Sequence, residues 1–328
     1  MGNKIKKIGL LTSGGDAPGM NACIRAVVRA CIYCGIVPFG IKEGYRGLIE
    51  NNMVKMNAGS VRHIIHHGGT ILKSARCPDF KTVDGRKKAC NSFKKNELDA
   101  LITIGGEGTF QGALVFANDF DIPTLGIPGT IDNDIDGTNF TIGFDSACNT
   151  VVEAVDRIRD TATSHNRLFI IEVMGRDSGF IALNSGIAAG SEEILIPEQD
   201  MGMERLAASL KQSAKRNKTS RLVIVAEGEK SGRAYDIAQK VEERFGSFYE
   251  TKVTILGHVQ RGGRPSCADR VLASRLGVQA VEALKEGITK KMIGIKNNKI
   301  TFTHLKKATK QNPHIDLKLL HIADIISI

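Results

Sequence analysis

The chain has 328 residues, with 45 Lys and Arg against 35 Asp and Glu for a formal net charge of +10. That length holds two ordinary domains or one large α/β domain, and a 42% hydrophobic content can fill a core, which excludes global disorder. The positive balance favours anionic partners, and because the basic residues are scattered without aromatic interleaving it argues for phosphorylated small molecules over nucleic acid.

The opening MGNKIKKIGLL has no apolar segment long enough for a signal peptide, and Lys6 stands where a myristoylation motif wants Ser or Thr. With no run of about 18 apolar residues anywhere, a soluble cytoplasmic protein is expected. Strand-like apolar runs then follow at residues 7–13, 35–41, 100–106, 122–128, 167–173, 192–197, 221–228 and 252–257. Helical patterns lie between or after them at 21–34, 147–161, 203–216 and 267–285, and residues 305–325 read as a docked terminal helix. The first helix carries Cys31 and Cys34 as C-x-x-C with Cys23 nearby; no second pair completes a zinc set, so buried reduced thiols are expected. Strand–helix alternation predicts doubly wound α/β layers with mostly parallel sheets.

In open parallel sheets, ligands bind beyond the carboxyl ends of the strands. The glycine-rich loops with charged residues fall there: GGDAPG, GGEGT, PGTIDND, MGRDSG, Glu227-Gly228 and GHVQRGG. Neither the P-loop pattern nor the protein-kinase loop set is present. Gly105-Gly106-Glu107-Gly108-Thr109 follows a strand and opens a helix, where backbone amides and the helix dipole suit a phosphate. Its spacing also fits a dinucleotide fingerprint, but Glu107 would repel a pyrophosphate unless magnesium intervened, which makes Glu107 a candidate Mg2+ ligand. PGTIDND sets Asp132 and Asp134 two residues apart, one to accept a hydroxyl proton and the other to orient substrate or metal-bound water. Read blandly, it is an Asx-rich turn. His63 and His67, four apart, have metal-sharing spacing, or serve as cations at a helix end.

These loops, with GGT-x-L-x-SAR-x-P (68–78), TIGFDSA (141–147) and EVMGR (172–176), resemble in order and over nearly the whole chain the bacterial-type ATP-dependent 6-phosphofructokinases. The resemblance implies two similar three-layer α/β domains: residues 1–143 with 260–308 for ATP, and 144–259 with 309–328 for the sugar phosphate. It implies an active site in the cleft between them and a homotetramer in which active and effector sites are shared between subunits. ATP would meet Gly15, Tyr45, Arg76, Cys77, Arg86, Gly106, Glu107, Gly108 and Thr109. Fructose 6-phosphate would meet Thr130, Ile131, Asp132, Asp134, Met174, Gly175, Arg176, Glu227, His258, Val259, Gln260 and Arg261, with Arg167 and Lys252 reaching its 6-phosphate across a subunit interface. Asp132, Thr130, Arg176 and Arg76 would carry catalysis. Arg25, Arg29, Arg159, Gly190, Ser191, Glu192, Arg216 and Lys218 match the family's effector site for a nucleoside diphosphate or phosphoenolpyruvate, although four-residue spacing also puts Arg25 and Arg29 on one solvated helix face.

Gly108 and Gly129 stand where pyrophosphate-dependent members carry Asp and Lys, so ATP is the expected donor. Three positions depart from the family pattern: Glu107 for Asp, Lys252 for Arg, and Ala58 where many members place an effector Arg. The competing readings are a pyrophosphate-dependent enzyme, an anion-binding regulatory protein without catalysis, and a basic nucleic-acid binder, whose binding would fall steeply with salt.

Overall fold

The computed structural model describes residues 5–162, 167–199, 202–215, 221–246, 249–309 and 315–326. The chain forms two compact units: residues 1–131, 135–145 and 261–312 in the first, and 132–134, 146–260 and 313–328 in the second.

The first unit opens with β1 (Lys7–Thr12), α1 (Met20–Tyr33), β2 (Val37–Ile41), α2 (Gly44–Glu50) and β3 (Met53–Lys55). It continues through α3 (Val83–Lys95), β4 (Ala100–Gly105), α4 (Glu107–Phe120) and β5 (Thr124–Pro128). The chain then passes through α5 (Phe144–Ala162), β6 (Arg167–Val173), α6 (Phe180–Ala188), β7 (Glu193–Leu195), α7 (Gly202–Lys215), β8 (Arg221–Ala226), α8 (Ala234–Phe245) and β9 (Glu250–Ile255). It returns to the first unit for α9 (Cys267–Lys285), β10 (Lys291–Lys296), β11 (Lys299–His304) and α10 (Leu305–Ala308), and ends on α11 (Leu317–Ile326). The tail expected as one helix over 305–325 is thus two helices.

The first unit holds a seven-stranded sheet in the order β11-β10-β5-β4-β1-β2-β3, the second a four-stranded sheet in the order β7-β8-β6-β9. Pairing is parallel in the middle of the large sheet and throughout the small one; the edge strands β3 and β11 are antiparallel. The central strands are continuous apolar runs because they are covered on both faces: every residue of β4, β5 and β8 is buried. Edge strand β9 has only exposed and half-buried positions instead. The β10–β11 hairpin, which no apolar run announces, turns on Asn297 and Asn298, both left-handed (φ 48° and 62°), as a two-residue hairpin loop requires.

Helix ends follow local chemistry. Thr82 caps α3 by accepting from Gly85 N at 3.0 Å, and Ser266 caps α9 by accepting from Asp269 N at 3.2 Å. Beside β4 the few aromatics gather. Tyr45 stacks on Phe80 at 4.1 Å, and the fully buried Phe116 contacts Phe80, Phe93 and Phe120 with centroids 5.6, 6.2 and 5.5 Å away. Replacing Phe116 with Ala opens a cavity beneath α4, and the expected loss is about 3–5 kcal/mol of unfolding free energy, read from the midpoint of a urea titration.

Candidate functional site

Three glycine-rich loops of the first unit leave the carboxyl ends of β1, β4 and β5, which are immediate neighbours in the sheet. In the second unit the same holds for the loops after β8, β6 and β9. The glycine-rich loops of each unit therefore leave one sheet edge, whereas Arg167 opens β6 at its amino end and Lys252 lies within β9.

Around β1 and β4 the glycines permit backbone contact. A Cβ on Gly15 would lie 2.5 Å from Nη1 of Arg261, which donates to Asp16 O at 3.3 Å, and the Ser74 hydroxyl donates to Gly14 O at 2.5 Å. A Cβ on Gly105 would sit 2.3 Å from Oγ1 of Thr109 and 2.4 Å from Ser13 O. Gly108 differs: nothing lies within 4 Å of where its Cβ would be, so the start of α4 faces open space, with Glu107 half-buried in its first turn. Arg76 extends into solvent with no hydrogen-bond or ion-pair partner among the described residues, and Cys77 beside it is half-buried.

Two residues expected to touch a nucleotide, Tyr45 and Arg86, are buried and bonded within the fold behind these loops. Tyr45 is buried and donates its hydroxyl to Thr109 O at 2.6 Å, and its ring would lie 2.8 Å from a Cβ on Gly112. Burial pushes its phenol well above the ordinary value, so it remains a donor. Arg86 is buried as well, pairing Nε with Asp119 at 2.6 Å and donating Nη1 to Lys81 O at 2.7 Å and Phe80 O at 3.3 Å. Both tie the 3-10 turn Pro78–Lys81, just after Arg76 and Cys77, to opposite ends of α4. Neither the Tyr45–Thr109 nor the Arg86–Asp119 contact carries a signal in the sequence.

The turn after β5 is closely packed. Thr130, Asp132, Asn133 and Asp134 are each at least nine-tenths buried, Ile131 completely. Thr141 donates its hydroxyl to Thr130 O at 2.7 Å. Ser178 donates its own to Asp132 O at 3.0 Å and contacts Gly175 O at the same distance. Asn133 is left-handed at φ 54°, an angle Asn tolerates. Gly129 is tightly packed: its Cβ would lie 3.0 Å from Ile104 and 3.2 Å from Met20, so a side chain there requires those methyls to give by a few tenths of an ångström.

In the second unit, Glu227 accepts from the backbone N–H of Gly175 (3.2 Å) and Arg176 (2.7 Å). Arg176 is left-handed at φ 55°, and a Cβ on Gly228 would lie 2.1 Å from its carbonyl. Its guanidinium is exposed. His258 and Val259 are exposed in the 3-10 turn Gly257–Arg261, whereas Gln260 is fully buried, accepting from Met174 N at 3.2 Å and donating to Gly257 O at 3.0 Å. Arg167 and Lys252 do not stand free: both pair with Glu250, at 2.9 and 2.7 Å. Those hydrogen bonds pull the Glu250 carboxyl down to about 2, so the pairing holds above the usual carboxylate range and is lost only as pH falls through that value. Register foretells the arrangement, because Arg167 lies directly opposite Glu250 and Lys252 follows two residues on, on the same face.

Of the expected effector residues, Arg25 and Arg29 lie on α1 in the first unit, half-buried and exposed. In the second unit Arg159 donates to the carbonyls of Ala189 and Gly190, Ser191 is buried, and the Glu192 carboxylate accepts from Leu222 N at 2.6 Å. Arg216 and Lys218 lie outside the described residues. All seven cysteines are free thiols, with Cys23 and Cys31 buried; Cys31 is pushed up to about 12 by burial and by Cys34.

Tyr45→Phe leaves the Thr109 carbonyl without its buried donor; the expected cost is about 1–2 kcal/mol of stability, measured by urea unfolding against the parent chain.

Comparison with known proteins agrees with this geometry. The family model described as Phosphofructokinase matches residues 7–284. The ATP-dependent 6-phosphofructokinase of Halalkalibacterium halodurans is 51% identical over 99% of this chain and 100% of its own. That of Bacillus subtilis is 54% identical over 90% of this chain and 91% of its own. A solved phosphofructokinase from Saccharomyces cerevisiae superimposes with a TM-score of 0.89 at 36% identity; it covers 98% of this chain, which spans about half (48%) of the yeast chain. The chain belongs to the phosphofructokinase family.

Proposed function

We propose that this member of the phosphofructokinase family transfers the γ-phosphoryl group of ATP to the 1-hydroxyl of fructose 6-phosphate, releasing ADP and fructose 1,6-bisphosphate. The observation that carries the reading is the buried turn from Gly129 to Asp134, which carries two carboxylates and whose Thr130 and Asp132 backbone carbonyls each accept from a hydroxyl. Asp132 accepts the sugar hydroxyl proton as that oxygen attacks phosphorus. A loose transition state asks for little early proton transfer, so a strong base is not required of Asp132. Arg76 and Arg176, both exposed and held at loops of fixed backbone, offset charge developing on the transferred group. Thr130 and Asp134 orient the sugar together with Ile131, Met174, Gly175, Glu227, His258 and Arg261.

The nucleotide phosphates lie against the amides of Gly106 to Thr109, beside Gly15 and Cys77. Tyr45 and Arg86 position this cradle from behind, as Gln260 does the sugar loop. The open space at Gly108 and the absence of a cation at Gly129, which is tightly packed against Ile104 and Met20, support ATP over pyrophosphate.

Magnesium fits the residues present. Glu107 offers one half-buried carboxylate at the helix start, and the buried Thr109 hydroxyl beside it has no hydrogen-bond partner among the described residues. No group of three or more His, Cys, Asp or Glu gathers among the described residues. Mg2+ suits such a site because it is ordinarily held by one or two carboxylates plus substrate phosphates and water. When bound, it neutralises charge on the β- and γ-phosphates.

Arg167 and Lys252 serve the 6-phosphate of a neighbouring subunit in a homotetramer, Glu250 holding them meanwhile. Arg25, Arg29, Arg159, Gly190, Ser191, Glu192, Arg216 and Lys218 take a nucleoside diphosphate or phosphoenolpyruvate as allosteric effector. The protein works in the cytoplasm; no helix among the described residues is long and apolar enough to cross a membrane.

A coupled assay of fructose 1,6-bisphosphate formation with magnesium tests the donor: turnover is expected with ATP and not with pyrophosphate, and the reverse would overturn the reading of Gly108 and Gly129. Asp132→Ser should lower kcat by about 10²–10⁴-fold with little change in KM; undiminished turnover would remove Asp132 from its role. Lys252→Arg restores a bidentate fork and should lower the KM for fructose 6-phosphate by about three- to ten-fold.

A further inference from the structure

The segment H-I-I-H-H-G-G and the segment R-G-G-R-P each bring cationic side chains to a glycine pair, and the fold joins them. A Cβ on Gly68 would lie 2.2 Å from Gly263 O, so the two loops touch backbone to backbone. This sets His66 within electrostatic reach of Arg264 and Arg270, with His67 against its ring; His66 and Arg270 are half-buried, His67 and Arg264 exposed.

Neither loop is free to spread these charges apart. The buried Asn21 donates to the carbonyls of His67 (3.2 Å) and Gly68 (3.0 Å) and accepts from Ile71 N (2.8 Å). On the other side Arg270 donates Nε to Pro265 O at 2.8 Å. The rings of His66 and His67 meet edge to face at 4.4 Å.

The metal reading of His63 and His67 fails here. Nε2 of His63 accepts from Nε of Arg62 at 2.9 Å, and the charged groups facing His66 are His67, Arg264, Arg270 and His63, every one a potential cation. Partial burial and then those neighbours lower the His66 pKa from its ordinary value. Of the carboxylates on the adjoining segments, Asp269 is buried and accepts from Gly143 N at 2.8 Å, and Asp16 comes within 3.9 Å of where a Cβ on Gly69 would be. A fixed group of cations repels a metal ion and is relieved by an anion that accepts several charge-assisted hydrogen bonds at once.

We propose that His66, His67, Arg264 and Arg270 form a binding site for a tetrahedral oxyanion, of the class of inorganic phosphate and sulfate, distinct from the nucleotide, sugar and effector residues. Anion binding favours protonated imidazole, so affinity rises as pH falls through the histidine range.

Sulfate is the probe, because its charge does not change across that range. Binding to the full chain is measured by calorimetry at constant ionic strength, at about pH 6 and about pH 8. The expected result is saturable binding, tighter at the lower pH, weakened about ten-fold or more in both His66→Gln and Arg264→Ala. The same binding should persist in Arg176→Ala and Arg25→Ala, which disturb the proposed sugar and effector sites. Circular dichroism checks each fold, and because the two site variants lie on different loops, either one decides if the other fails to fold. Absence of saturable binding overturns the proposal, as does binding that survives both site variants or that Arg176→Ala or Arg25→Ala abolishes.

Discussion

The parallel hydrogen-bond ladder joining β1, β4 and β5 governs how the first unit presents its chemistry. Paired strands run about 4.8 Å apart, so loops leaving three adjacent parallel strands emerge side by side whatever their sequences. The register aligns the ends as well: Thr12 pairs with Ile104, and Gly105 with Pro128. Glycine pairs, an acidic helix start and a buried acidic turn are thereby delivered to one edge without long-range contacts to hold them there. The smaller sheet repeats the device with β8, β6 and β9.

Behind the edge lies a second tier that converts position into precision. The carbonyl of Thr130 is held by a hydroxyl further along its own loop and that of Asp132 by one from a distant segment, and Glu227 captures two successive amides of the loop after β6. Buried polar contacts of this kind matter less for their net strength than for the cost of breaking them, since a carbonyl stripped of its partner away from water has no substitute. Such a loop occupies one conformation, which lets a left-handed residue such as Arg176 stay in place.

Much of this was legible in the sequence because the signals are local. Continuous apolar runs foretold the buried strands β1, β4, β5, β6 and β8, and charged residues within glycine runs marked the loops. Less legible were features set by tertiary partners. The β10–β11 hairpin has weak apolar character, and only its Asn-Asn turn betrays it. Tyr45, Arg86 and Gln260 carry functional groups that suit a ligand, and nothing along the chain reveals that Thr109, Asp119 and Met174 already claim them. Glu250 falls between these extremes, invisible in composition yet derivable once strand register is known.

The contact between Tyr45 and Gly112 carries a consequence for how this fold can change over time. The ring leaves no volume for a methyl group at 112, so residue 112 cannot enlarge while the tyrosine stands, whereas residue 45 can shrink with the glycine in place. A lineage that shrinks residue 45 acquires freedom at 112, whereas one that keeps the tyrosine inherits the glycine with it. The dependence runs one way, so the order of the two changes is fixed: residue 45 first, residue 112 after it.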